Sequence, residues 1–466
     1  MKEKKQATIG YAMIPLLFLI GSLFLTLTQW GGDPHIPIFS SAIVASVVAM
    51  LGLNYGWKEI EEGIVDTIKM SMGAVLILMI IGMVVGTWIL AGIVPTMIYY
   101  GLKVLSPGIF LIATLFICSI VSLATGSSWT TAATVGIALM GVGMGLGIPS
   151  HIIAGAIISG AYFGDKMSPL SDTTNLAPAM AGADLFDHIR HMLYTTGPSY
   201  IISAVLFGII GMKYAGGELN TVAIDELLTG LQGAFTLSPI LLLAPVLVIV
   251  IVVLKTPAIP GLFGGAVLGG LFAAMFQGAG MSDLVGAMHY GYTSETGIAA
   301  IDSLLTRGGM DSMMWTVSLI LCAMTFGGVM ERTGMLQAIA DQMLKLAKST
   351  GSLVVATIIT AIAMNLIAGD QYLSIVIPGR MFKGAYDKRG LAPKNLSRVL
   401  EDSGTLTSAM IPWNTCGAYM ITTLGIAPWT YIPYTFLNVL NPIVSIFYGF
   451  TGITMEKVDT AQAQNA

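Results

Sequence analysis

Asp165 and Asp172 stand seven residues apart in a chain that is strongly apolar on either side of them. Around them lie Lys166, Ser168, Ser171, Thr173, Thr174 and Asn175, with Gly164 and Pro169 opposing a continuous helix. Carboxylate and hydroxyl oxygens at this density are hard ligands, suited to a cation such as Na+. A helix that breaks among them frees backbone carbonyls to join the set. A solvated loop uses the same residue types, but these flanks lack the length and polarity of a surface loop. Lys166 is either a salt-bridge partner that keeps one carboxylate ionised or a side chain that snorkels to the interface.

A second cluster mirrors the first. Glu401, Asp402, Ser403, Thr405, Thr407 and Ser408 lead into Pro412, Trp413, Asn414 and Thr415. Neighbours on a helix differ by about 100°, so Glu401 and Asp402 cannot both face one partner. Asp402, contiguous with the Ser-Gly-Thr run, is the expected site carboxylate, which leaves Glu401 to Arg398 or another nearby base. A third element is a pair of interruptions, Thr125-Gly126-Ser127-Ser128 and Gly369-Asp370-Gln371. Half-helix ends at membrane depth carry partial charges that help hold ions. Asp370, inside apolar sequence, is an intramembrane carboxylate candidate, whereas Ser127 and Ser128 also suit plain helix–helix hydrogen bonding.

The elements that position these residues must lie in a bilayer. The chain has 466 residues, 55% hydrophobic and 10% charged; soluble domains carry about 25% charged residues. A net charge of −4 gives no sign of a nucleic-acid partner. Cys118, Cys322 and Cys416 lack paired spacing and read as buried free thiols. His35, His151, His188, His191 and His289 are scattered, and His188 and His191 read as part of a solvated loop. No phosphate-binding loop, dinucleotide fingerprint or nucleophile elbow is present, so coupling is expected from an ion gradient. The same absence argues against an enzyme.

Lys2, Lys4 and Lys5 precede an apolar run from Tyr11 to Trp30, long enough to span and without a cleavage motif. It reads as a first transmembrane helix entering from the cytoplasm. Further spans are expected at about 36–53, 70–93, 193–213, 237–253, 257–277, 312–330 and 430–450. Broken or re-entrant pieces are expected at 107–124, 130–147, 150–163, 352–369, 371–382 and 396–424. The expectation is an all-α polytopic protein with about ten to twelve crossings.

The irregular pieces occur twice. Gly86 and Gly92 recur as Gly328 and Gly334, and Ser159-Gly160 recurs as Ser403-Gly404. Residues 136–154 lack Lys and Arg, whereas 380–398 contain Arg380, Lys383, Lys388, Arg389, Lys394 and Arg398, which places the two segments on opposite sides. The expected organisation is two inverted-topology repeats with discontinuous helices and re-entrant hairpins, 1–213 and 237–452. A polar extracellular linker at 214–236 joins them, and a cytoplasmic tail at 453–466 follows.

The segment from Ser159 to Pro178, together with the run from Asp402 to Cys416, resembles the NhaC family of Na+/H+ antiporters over most of the chain's length. The resemblance implies an ion-transporter-superfamily fold in the plasma membrane, with hairpins meeting near the midplane. It also implies secondary export of Na+ in exchange for H+, with no cofactor beyond the transported ions. Similar proteins include malate/lactate antiporters, so Li+ and small carboxylates stay open as substrates, as does a homodimer. Expected ion ligands are Asp165, Asp172, Asp370 and Asp402. Ser127, Ser128, Ser168, Thr173, Thr174, Ser403, Thr405, Asn414 and Thr415 are expected around them.

Overall fold

The computed structural model describes residues 3–215, 221–254, 256–345 and 347–458. Among these residues the ordered elements are all helical, apart from two isolated β-bridges. The first helices are α1 (Ile9–Leu25), α2 (His35–Leu53), α3 (Trp57–Leu90) and α4 (Ile93–Val104). There follow α5 (Pro107–Thr125), α6 (Ser128–Thr131), α7 (Ile137–Gly145), α8 (Ser150–Met167), α9 (Asp172–Ala181) and α10 (Leu185–Ala215). A middle group comprises α11 (Thr221–Ala234), α12 (Leu243–Val253), α13 (Ala258–Phe272), α14 (Met281–Tyr290) and α15 (Ala299–Leu305). The remainder are α16 (Met314–Arg332), α17 (Met335–Lys345), α18 (Thr350–Ile367), α19 (Gln371–Asp387) and α20 (Pro393–Leu400). Last come α21 (Leu406–Ser408), α22 (Thr415–Leu424), α23 (Pro428–Tyr431) and α24 (Phe436–Thr451).

Among the described residues eight helices are long and apolar enough to cross a membrane, or nine if the 97° bend between 224–234 and 239–251 lies within one span. The expected ten to twelve crossings counted shorter pieces that fall below this length. Two boundaries differ in an instructive way. Residues 107–125 and 350–367 form unbroken helices of 19 and 18 residues rather than hairpin fragments. Their breaks come just afterwards, at Gly126 (φ +69°) and Gly369 (φ +67°), where a left-handed backbone ends each helix. The segment expected as a linker holds α11, and Glu218 falls outside the described residues.

The order of elements recurs along the chain. A long helix, a short helix, a helix that breaks and restarts, a second broken helix and a final span describe α3–α10. The same order describes α16–α24. Gly92 and Gly334, which follow the first helix of each series, both take positive φ (+77° and +74°).

Gly164 does not break α8, which continues through Asp165 and Lys166 to Met167. It serves packing instead. A Cβ there would overlap the Leu123 amide and the Ser119 carbonyl of α5, and one at Gly160 would overlap the Leu115 carbonyl. The small residues let two backbones meet, as helix pairs in lipid require. His188 and His191 lie in α10 and are buried, not in a solvated loop; the His188 ring nitrogen Nδ1 is 2.8 Å from Ser397 Oγ. Gly164→Ala is therefore expected to lower stability by about 1–3 kcal/mol through overpacking. Gly197→Ala, where nothing lies within 4 Å of the added carbon, should melt like the parent. Thermal unfolding of the two purified variants in detergent compares them directly.

Candidate functional site

Four helix breaks meet around one cavity of about 630 Å³. In the first series of helices, the Gly126 turn packs so tightly on the 168–171 break that an added Cβ would lie 2.7 Å from the Leu170 carbonyl carbon. In the second series the Thr415 amide donates to the Gly369 carbonyl at 2.9 Å. Each pair of breaks thus satisfies part of its own exposed backbone, as polar groups inside a bilayer must.

Asp165 projects from the last turn of α8 into the cavity wall and is 8% exposed. Its Oδ2 accepts from Ser128 Oγ at 2.6 Å and from the Ser128 amide at 3.2 Å, and its Oδ1 accepts from Ser171 Oγ at 2.6 Å. One carboxylate therefore ties α8 to the restart of the first broken helix and to the start of α9. Asp370 has the matching task in the second series. It caps α19, its Oδ1 accepting from the Tyr372 and Leu373 amides at 2.8 and 3.1 Å, and it is 6% exposed. Asp172 sits at the exposed mouth, where its Oδ2 accepts from Tyr372 Oη at 3.3 Å. Tyr372 thereby bridges the two series and lies within electrostatic reach of all three aspartates.

The rest of the lining is neutral. Thr125, Ser127, Thr130, Ser171, Thr173, Gln371 and Thr415 contribute polar groups, while Met70, Ser71, Ala74, Ile77, Pro257 and Leu262 supply a further uncharged part of the lining. Of the residues expected from sequence, Asp165, Asp172, Asp370, Ser127, Thr173 and Thr415 face the cavity, and Ser128 holds Asp165 from behind. The others lie outside the lining. Ser168 Oγ donates to the Leu123 carbonyl (2.8 Å), and Thr174 Oγ1 to the carbonyls of Asp165 and Lys166 (3.1 and 2.9 Å), so both close the end of α8. Ser403 Oγ donates to the Val399 carbonyl at 2.6 Å, and Thr405 is buried in the same turn. Asn414 caps α22 through the Cys416 amide (3.0 Å) and donates to Asn365 Oδ1 (2.9 Å).

Asp402 departs most from expectation. It is fully buried behind the cavity and paired with Lys166, with Arg398 Nε 4.0 Å from its other oxygen. The i, i+4 spacing places Asp402 over Arg398 on the helix face, and Glu401 is the acid left without an ion pair. Tyr372 and Gln371 were missed as lining residues, although they follow Asp370 directly in the sequence. The signal was their position, because the first residues after a mid-membrane helix break face whatever the break encloses.

Residues 160–453 match the description of the Na+/H+ antiporter family. The chain is 42% identical to the Na+/H+ antiporter NhaC of Alkalihalophilus pseudofirmus, over 97% of this chain and 98% of that protein. It is 40% identical to NhaC of Bacillus subtilis over 97% and 99% of the two chains. It is also 38% identical to the malate-2H+/Na+-lactate antiporter of Bacillus subtilis, over 100% and 99%. The chain belongs to the Na+/H+ antiporter family. This antiporter is a multi-pass membrane transporter, not an enzyme.

In this antiporter Ser128 is the most direct support of a cavity carboxylate. Ser128→Ala removes a hydroxyl bond to a charged acceptor, expected to raise the half-saturating concentration of the transported ion about tenfold. Ser168→Ala, which loses only a bond to a backbone carbonyl outside the lining, should leave that concentration unchanged. Exchange assays on the two variants in reconstituted vesicles separate the outcomes.

Proposed function

We propose that the cavity binds Na+ (and Li+, a smaller ion of the same charge and hardness) in exchange for H+ at the shared carboxylates Asp165, Asp172 and Asp370. The observation that carries this reading is the charge of the lining, which among the described residues contains three aspartates and no lysine or arginine. Carboxylate, hydroxyl and amide oxygens form a hard, flexible set that suits Na+. Protonation of the same carboxylates removes the negative charge that attracts the ion, so the two substrates compete for one site.

A second reading is Na+-coupled exchange of small carboxylates. The N-termini of α9, α19 and α22 all open on the cavity and favour an anion. The likeness to a malate/lactate antiporter points the same way. An uncompensated dicarboxylate would, however, meet three aspartates with no basic partner among the described lining residues, which favours the cation.

We place both termini in the cytoplasm. The tail at 453–458 docks on the basic segment that follows α19, with Lys394 2.5 Å from Glu456 and a bridge between Leu391 and Lys457. That segment is rich in Lys and Arg, as cytoplasmic loops are.

Asp165→Asn should abolish Na+-driven dissipation of a pH gradient in inverted membrane vesicles. Asp172→Asn, altering an exposed acid at the mouth, should raise half-saturating Na+ about tenfold while leaving the maximal rate near normal. Retained activity in Asp165→Asn removes the cavity from the mechanism. Labelled malate uptake that needs Na+ and responds to an opposing lactate gradient would instead select the second reading.

A further inference from the structure

Behind the cavity lies a group of charges that the ion site does not use. Lys166 follows Asp165 directly, yet the helix turns its side chain away from the cavity, where it is wholly buried. Its Nζ pairs with Asp402 Oδ1 and lies 3.5 Å from Asn441 Oδ1. Asp402 Oδ1 also accepts from Thr195 Oγ1 at 3.0 Å. This pair joins the end of α8 to the π-helical turn 401–405, an element of the second series.

Glu401 opens that turn and is also fully buried, and among the described residues its carboxylate has no ion-pair partner. Its polar surroundings are the hydroxyls of Thr405 from its own turn and Thr173 from α9, with Lys166 and Asp165 from α8. A buried carboxylate without a basic partner is costly unless another arrangement supplies one. The group that can supply it is Lys166, whose single ammonium stands within electrostatic reach of both Asp402 and Glu401.

We propose that Lys166 is a positioning residue that exchanges Asp402 for Glu401 during the transport cycle and carries the last turn of α8, with Asp165, between two positions. Two acids contending for one buried ammonium make a discrete two-state element of the kind that switching requires. Thr173, which borders both Glu401 and the cavity, places the exchange next to the ion site. The proposal rests on the antiport reading of the cavity and adds a device that moves it.

The test uses the full-length protein in proteoliposomes, reading exchange of radiolabelled Na+ and Na+-driven H+ movement together. Glu401→Gln keeps the Lys166–Asp402 pair and removes the alternative partner. Its expected result is a maximal rate at least about tenfold lower in both readouts, with half-saturating Na+ and the melting temperature unchanged. Asp402→Asn, by contrast, should lower the melting temperature, because it strands a buried ammonium. A wild-type maximal rate in Glu401→Gln overturns the proposal, and so does a change confined to half-saturating Na+. If Glu401→Gln does not accumulate in membranes, Glu401→Asp decides, since its shorter carboxyl still pairs but at altered reach. A slower rate at unchanged half-saturating Na+ supports the exchange, and wild-type behaviour refutes it. Asp165→Asn run beside them reports on the cavity alone, so failure of the ion-site reading is separable from failure of the switch.

Discussion

A backbone that breaks inside a bilayer must find new partners for every amide and carbonyl it frees, and this antiporter breaks four helices in one place. The solution is mutual. Asp370 takes the first amides of α19, Ser127 takes the Thr130 amide of its own restarted helix, and Asp165 takes the Ser128 amide of that neighbouring helix. Trp413 Nε1 donates to the Leu366 carbonyl at 2.7 Å, and Tyr419 Oη to the Trp129 carbonyl at 2.6 Å. Asp165, Ser127 and Asp370 both satisfy the breaks and line the cavity. Removing one of these side chains also leaves backbone amides at a helix start unpaired, so this part of the lining cannot be treated as separate from the fold.

The same geometry sorts the charges. Asp165 and Lys166 are chain neighbours that a helix turns about 100° apart, one toward the cavity and one toward Asp402. Had α8 broken at Gly164, both would have belonged to one loop and could have neutralised each other. Because it persists to Met167, Lys166 is kept from the cavity carboxylates and its ammonium is confined to a buried pair behind them. The long apolar flank and the tight glycine contacts with α5 keep that turn helical.

Much of this was legible in the sequence, and the parts that were not share a cause. Composition identified the bilayer, and the polar runs at 165–175, 125–128 and 369–371 marked three of the breaks. The expected ligand set joins Asp165, Asp172, Asp370 and Asp402, and the first three line one cavity. Gly164 misled, because a glycine that breaks a helix and a glycine that admits a neighbouring backbone look alike until the neighbour is seen. Asp402 misled for a related reason. Its hydroxyl-rich surroundings suggested ligands, but Lys166, which claims it, lies 236 positions away in the chain. Pairing across such separations leaves no local pattern, whereas the Asp370 cap, made to amides two and three residues on, leaves one.

The walls of the cavity differ in kind. Helices α13 and α16 both pack on α3. Another set joins α5, α8 and α10, and α9 packs with α19 and α20. The first group contributes Met70, Ser71, Gly73, Ala74, Ile77 and Leu262 to the lining, none of them charged. All three aspartates come from the elements that break, along with Ser171, Thr173 and Tyr372. The carboxylates thus lie on elements other than those that supply this uncharged part of the lining. Among the described residues no ion pair joins α3, α13 or α16 to the elements that break, although the hydroxyls of Thr316 in α16 and Thr422 in α22 are hydrogen-bonded. Most other contacts across this boundary are van der Waals contacts, each worth a fraction of a kcal/mol. The arrangement sets the charged and the uncharged parts of the lining on different groups of helices.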